Sequence, residues 1–186
     1  MIYHHRRFDG RQTVPVIRLP DIVCVQSLRN GIPVNPKKQN ISYIFQEYSS
    51  FPWLTVEQNI RFGLEIKKTP KAEADANVEE MLDIVGLTKF RNYYPSQLSI
   101  SMLQRVAIAR AFATKPELLL MDEPYGQLDI DLRFKLEDEL IKLWKKTGTT
   151  VLFITHNIEE AVYLSQKIMV LTNKPTSVKT VLDNPL

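Results

Sequence analysis

The 186 residues are enough for one domain with a sizeable core, and with 44% apolar and 24% charged residues the balance is that of a globular chain. The longest apolar runs, such as Leu118–Met121 and Val151–Ile154, fall far short of the roughly 20 residues of a membrane-spanning helix. No apolar run follows Arg6 and Arg7 as in a signal peptide, and the single cysteine, Cys24, excludes an internal disulfide and suits a reducing compartment.

The net charge of +3 is concentrated at one end. Residues 1–30 hold Arg6, Arg7, Arg11, Arg18 and Arg29 against Asp9 and Asp21, while the other 156 residues hold 19 basic and 19 acidic side chains. One reading is a basic arm for nucleic acid or lipid headgroups. The other is a disordered or foreign leader, favoured because the basic residues lack helical spacing. Residues 1–28 show no periodicity and are interrupted by Pro15 and Pro20, so they are expected to stand outside the fold.

From Arg29 onward the pattern is regular. Asn30-Gly31 reads as a turn and Ile41–Phe45 as a short buried strand. Thr55 followed by Gln58 is a capping-box pair that opens a helix through Ile66. A second helix runs from Ala72 to Val85, with Val78, Met81, Leu82 and Val85 on one face and Gly86 closing it. A third covers Ile100–Ala113. Leu118–Asp122 is a continuous apolar strand ending in acid. Helix 129–146 follows, with Leu132, Leu136, Leu140, Leu143 and Trp144 at helical spacing. Thr149–Ile154 is another buried strand, Asn157 and Glu160 cap a helix through Leu164, and Lys167–Leu171 is a last strand. Apolar strands alternating with helices predict an α/β fold with a parallel sheet covered on both faces. The helical stretch 55–110 reads as an insertion. Such a sheet carries its site at the carboxyl ends of its strands, where Asp122 and His156 fall.

Leu118-Leu119-Leu120-Met121-Asp122-Glu123-Pro124 places two adjacent carboxylates at a strand end. Nucleotide hydrolysis needs one carboxylate near Mg2+ and another to orient or deprotonate water. Taken alone, the segment reads equally well as a strand ending in a solvated acidic turn. Four other segments bear on the choice. Gln46 closes a strand 53 residues before Ser99; Ser99 opens a helix 23 residues before Asp122; Gln127-Leu128-Asp129 follows the acid pair; His156 closes a strand 34 residues after Asp122. In this order and spacing the sequence resembles the ABC ATPase family over residues 29–183. Tyr43–Gln46 looks like its Q-loop, Leu98–Arg105 its signature motif, Leu118–Glu123 its Walker B strand with the glutamate, Gly126–Asp129 its D-loop and Thr155-His156 its switch. Gln46–Val56, Asn59, Phe62–Leu64 and Asn173-Lys174-Pro175 are similar to the branch that serves nitrate, sulfonate and taurine import.

The resemblance implies a partial RecA-like P-loop NTPase core (about 29–54 and 111–186) carrying a helical subdomain (about 55–110), with residues 1–28 an atypical leader. It implies ATP and Mg2+ as cofactors. Asp122 would hold the metal, Gln46 would contact both the metal and the attacking water and relay the transporter's state, Glu123 would act as base or water-orienter, and His156 would bond the γ-phosphate. Ser99, Ser101 and Asp129 would bind ATP across the interface of a homodimer. The implied partners are transmembrane permease subunits and, indirectly, a solute-binding protein, with no nucleic acid, at the cytoplasmic face of the plasma membrane. A DNA-repair or chromosome-structure ATPase of the same family is disfavoured by the short helical insert and the Phe51–Val56 segment.

Two departures stand out. None of the six glycines is followed by lysine, so no G-x-x-x-x-G-K-[ST] phosphate loop is present; family spacing puts it near residues 1–10. The leader is therefore expected to be a frameshifted or misjoined 5′ end, with a natural replacement as the alternative. The signature reads Leu98-Ser99-Ile100-Ser101-Met102, where the family has two glycines after the serine. The chain also stops at Leu186, ahead of the C-terminal part such subunits usually have. A non-hydrolysing truncated or regulatory remnant that docks on a permease is the second function these departures suggest.

Overall fold

The computed structural model describes residues 15–17, 28–29, 32–33, 40–46, 50–126, 128, 130–173 and 177–184. Its frame is a six-stranded sheet: β1 (Pro15–Ile17), β4 (Ile41–Ile44), β5 (Leu118–Asp122), β6 (Thr150–Ile154), β7 (Lys167–Leu171) and β8 (Val178–Asp183), in the order β4-β5-β6-β1-β7-β8. The first five are parallel and β8 runs back antiparallel on β7. A separate hairpin pairs β2 (Leu28–Arg29) with β3 (Ile32–Pro33). Its strands flank the expected Asn30-Gly31 turn, which itself lies outside the described residues. The helices are α1 (Val56–Ile66), α2 (Lys71–Ile84), α3 (Ile100–Ala113), α4 (Ile130–Thr147) and α5 (Ile158–Leu164). The α/β class is as the sequence implies.

Local signals account for most of these elements. The Thr55 hydroxyl accepts from Gln58 N–H, and the Gln58 amide oxygen accepts from Thr55 N–H at 2.9 Å, so α1 starts with two of its free donors satisfied. In α2, Val78, Met81 and Leu82 are buried, as is Val85 just beyond its end, and Gly86 takes φ +67, the left-handed turn that a side chain would resist. Leu136, Leu140 and Leu143 of α4 recur at helical spacing and are at most 4% exposed. Each such side chain contributes roughly 1.5–3 kcal/mol on burial.

Among the described residues the helices pack on one side of the sheet. Ser42 Oγ donates to the Ala111 carbonyl of α3, and Leu140, Ile141 and Trp144 of α4 and Leu164 of α5 meet Val151 and Phe153 of β6. Register places Ser42 beside Leu119 and Val151, and Ile44 beside Met121 and Phe153, so all six point to one face. Ile44, Leu119, Met121, Val151 and Phe153 are fully buried there. On the opposite face Leu118, Leu120 and Leu152 are half-buried and Tyr43 is exposed. Among the described residues, then, helices cover one face of the sheet where the sequence led to the expectation of cover on both. The connections β4 to β5, β5 to β6 and β6 to β7 all step the same way across the sheet, and right-handed crossovers in one direction deposit their helices on one face.

Two corrections concern strands. Residues 1–28 do not all stand outside the sheet: Pro15–Ile17 run between β6 and β7, with Val16 in register with Phe153 and Ile168. β6 and β7 flank a single strand position, and their inward-facing backbone groups need a partner. Pro15, which has no N–H, is the first residue of that strand, where proline is tolerated. Residues 1–14 and 18–27 lie outside the described residues. The second correction is that Lys167–Leu171 is not the last strand, because β8 follows it.

The helical stretch joins the sheet at a tight junction. Asn40 Nδ2 donates to Thr114 O at 3.0 Å, Lys67 Nζ donates to the same carbonyl at 2.9 Å, and a Cβ on Gly63 would lie 2.6 Å from Thr114 Cγ2. Glycine is what lets α1 approach the end of α3 this closely.

Candidate functional site

Apolar Leu118–Met121 carries the chain through the sheet to Asp122, the last residue of β5, and Glu123 follows at the strand's carboxyl end. Glu123 takes φ +43, although it is not glycine and precedes Pro124. Both facts disfavour that conformation, since its Cβ crowds the backbone and proline pushes the preceding residue toward extended geometry. The fold imposes it from two sides: Glu123 N–H donates to Ile154 O at 2.9 Å, and Glu123 C=O accepts from Gly126 N–H at 3.2 Å. Strained backbone of this kind costs on the order of 1–3 kcal/mol and persists where the surroundings over-determine it.

The strain aims the carboxylate. His156 Nδ1 lies 2.9 Å from Glu123 Oε1, and Gln46 Nε2 donates to Oε2 at 3.4 Å. Gln46 arrives from the end of β4, and His156 from the turn after β6. Two residues 110 positions apart thus converge on one carboxylate. The Tyr43 hydroxyl donates to Asp122 Oδ2 at 3.0 Å; burial and the neighbouring Asp122 charge push the phenol up to about 12, so it stays a donor at neutral pH. Tyr43 lies within the Tyr43–Gln46 segment quoted above, yet no role was assigned to it from sequence. The signal was available in the strand pairing, since Tyr43 opposes Leu120, two residues from Asp122 on the same face.

Beside this group is an open cleft of about 90 Å³, lined by Glu123, Tyr125, Gly126, Leu128, Arg133, Thr155, His156, Asn157 and Glu160. Asn157 caps α5 as expected, its side chain accepting from Glu159 N–H and Glu160 N–H. The Glu160 side chain does not cap. It is 4% exposed, accepts from the Thr155 hydroxyl and pairs with Arg133. Beneath the cleft Glu137 is 1% exposed with neither carboxylate oxygen hydrogen-bonded, and burial together with the Glu160 charge raises it to about 7.

Ser99 and Ser101 lie elsewhere, at the start of α3. Ser99 Oγ accepts from Met102 N–H, the two hydroxyls are 2.9 Å apart, and Ile100 is exposed. Among the described residues no hydrogen bond joins either serine to Gln46, Asp122, Glu123 or His156. Asp129 lies outside the described residues, as do Gln127, Lys174 and Pro175.

The donor set fits Mg2+. Asp122, Glu123 and the Gln46 carbonyl are hard oxygen donors, and among the described residues no group of three or more His, Cys, Asp or Glu side chains forms a closed metal cage. Mg2+ is typically held by one or two carboxylates together with waters and phosphate oxygens. The triphosphate is less well served. β1 is parallel to β6 and ends at the edge where Asp122 and His156 stand, and the sequence after it is Arg18-Leu19-Pro20. A glycine-rich turn offers backbone N–H groups to phosphates; proline offers none.

Residues 24–126 match the ABC transporter family. The chain is 45% identical over 136 residues to the nitrate import ATP-binding protein NrtD of Synechocystis, a stretch covering 73% of this chain and 51% of that protein. It is 45% identical over 150 residues to the aliphatic sulfonates import ATP-binding protein SsuB of Bacillus cereus, covering 81% and 58%. It thus spans little more than half the length of these relatives. A solved dimeric bacterial ABC transporter cassette superposes with a TM-score of 0.67 at 32% identity, covering 81% of this chain and 65% of that one. The RecA-like core implied by the motifs is therefore the fold observed. With more than half of its length matched and its acid pair at the strand end, this chain belongs to the ABC transporter family.

Proposed function

We propose that the chain is the ATP-binding and ATP-hydrolysing part of an importer subunit for nitrate, sulfonate or taurine-like solutes, and that Gln46, Asp122, Glu123 and His156 form its hydrolytic face. The observation that carries this is the Glu123 carboxylate, held by His156 and Gln46 on strained backbone beside Asp122. Bound Mg-ATP supplies the phosphoryl group and the cation that offsets its charge. Asp122, oriented by Tyr43, holds the metal. Glu123 accepts a hydrogen bond from the attacking water and turns its lone pair outward. His156 keeps Oε1 in place and directs its second nitrogen away from Glu123. Ser99, Ser101 and Asp129 serve the partner's site in a homodimer.

Membrane docking belongs to the same proposal. Trp53 is 70% exposed, and Phe51 beside it stacks near Phe62 and under Arg110. This aromatic patch, a few residues after Gln46, is the surface offered to a permease. No helix among the described residues is long and apolar enough to cross a membrane. On the importer reading, attachment is peripheral, on the cytoplasmic face of the plasma membrane, with a solute-binding protein as an indirect partner.

A second reading is favoured by one feature, the missing glycine-lysine loop: a non-hydrolysing remnant that docks on a permease. Calorimetry with Mg-ATP separates the two. Micromolar binding that survives Glu123→Gln, with hydrolysis abolished by that change, supports the first. A Kd weaker than about 1 mM, corresponding to only about −4 kcal/mol, with Trp53-dependent permease binding, supports the second.

A further inference from the structure

The turn that carries His156 is held by a buried polar relay. Thr155 is 6% exposed and its hydroxyl is used twice, donating to Glu160 Oε2 and accepting from Asn157 N–H at 2.9 Å. Glu160 Oε1 faces Arg133 Nη1 at 3.5 Å across the gap to α4. The residues on either side of His156 are thus tied to one carboxylate, and that carboxylate is tied to a neighbouring helix. The His156 ring is itself 55% exposed and makes its contact with Glu123 at 2.9 Å.

A buried carboxylate is an expensive way to stabilise a turn. Removing such a charge from water is costly, pairing only partly offsets the cost, and an apolar residue of similar size is often as stable or more so. What the ionic group adds is direction, because a carboxylate with one oxygen on Thr155 and the other toward Arg133 has one orientation. We infer that Glu160 is a positioning residue for His156: through Thr155 and Arg133 it fixes the turn so that the imidazole meets Glu123. The inference takes its functional meaning from the proposed hydrolytic face, but its geometry is testable without nucleotide. Arg133 lies near the start of α4, so the relay also joins that helix to the histidine turn.

The test uses the full chain with no ligand and two readouts. The first is amide exchange at His156 and Asn157. Glu160→Ala should accelerate exchange at Asn157 by about tenfold, the loss expected when one hydrogen bond is released, while Leu119 and Val151 in the sheet stay protected. Glu160→Gln keeps an acceptor for Thr155 and should restore most of the protection. The second is the His156 ring Cε1–Hε1 resonance at fixed pH, distinguished from His4 and His5 by its loss in His156→Gln. Glu160→Ala should move it in the direction that Glu123→Gln does, since both release the ring from Glu123. Should Glu160→Ala fail to fold, Arg133→Met and Thr155→Val remove the relay at its two ends and should give the same pair of changes. Equal acceleration throughout the sheet, or a ring signal unmoved while Glu123→Gln moves it, would overturn the inference. Failure of Mg-ATP binding would remove the hydrolytic reading and leave this result standing.

Discussion

Glu137 offers the sharpest test of how the core beneath the cleft is built. Its side chain is 1% exposed, its two oxygens make no hydrogen bond, and its carboxyl sits at about 7 instead of 4.5, through burial first and the Glu160 charge second, with Arg133 opposing. The folded state therefore binds a proton that the unfolded state releases between those values. Because the folded value is raised for an acid, the native state is favoured at low pH and loses stability as pH climbs from about 4.5 through 7, reaching a plateau above it. A displacement of 2.5 pH units at about 1.36 kcal/mol each comes to about 3 kcal/mol. Glu137→Gln has the shape of the protonated acid and cannot ionise. The variant should match the parent near pH 4.5 to within about 1 kcal/mol and exceed it by about 3 kcal/mol at pH 8. Urea unfolding of both proteins at pH 4.5, 6, 7 and 8 measures the gap directly. A difference that stays constant across that range would show that Glu137 does not titrate with folding, and the account of its burial would fall.

Two other substitutions probe features described above. Gly63→Ala should destabilise by roughly 1–3 kcal/mol, because the added methyl falls 2.6 Å from Thr114 Cγ2; Thr114→Ser in the same chain should recover most of the loss, and no recovery in thermal unfolding would assign the cost to another contact. Glu123→Gly should raise the unfolding midpoint, since relief of about 1–3 kcal/mol of backbone strain outweighs the partly exposed contacts to Gln46 and His156; a lowered midpoint would mean that φ +43 at this position carries no strain.

The elements with strong local chemistry were legible in sequence. α3 and β5 fall on the stretches that periodicity and apolar runs assign, and α1 opens on the capping pair. The hidden parts are those that depend on distant partners. β1 is three residues long and gains its strand character only from β6 and β7 on either side. β8 has every residue exposed and exists as an edge on β7, so no apolar alternation announces it. Glu160 stands three residues after Asn157 and so read as a cap, but the Thr155 hydroxyl and Arg133 claim its side chain. Continuous apolar runs in β5 and β6 suggested cover on both faces, since hydropathy records what a strand offers and not what arrives to cover it. Of the site, Asp122 and His156 were recognisable at strand ends. The strain at Glu123 was not, because positive φ in a glutamate before proline is the opposite of what either residue predicts.

The one-sided placement of the helices also fixes a direction of travel. Every crossover from β4 onward steps toward β7, and each lands on the same side. Among the described residues the sheet thereby keeps two tasks apart: its helix-covered face carries the core residues Leu119, Met121, Val151 and Phe153, while its carboxyl edge carries Asp122 and His156, so a packing lesion and a lesion of the acid pair fall on different parts of the same strands.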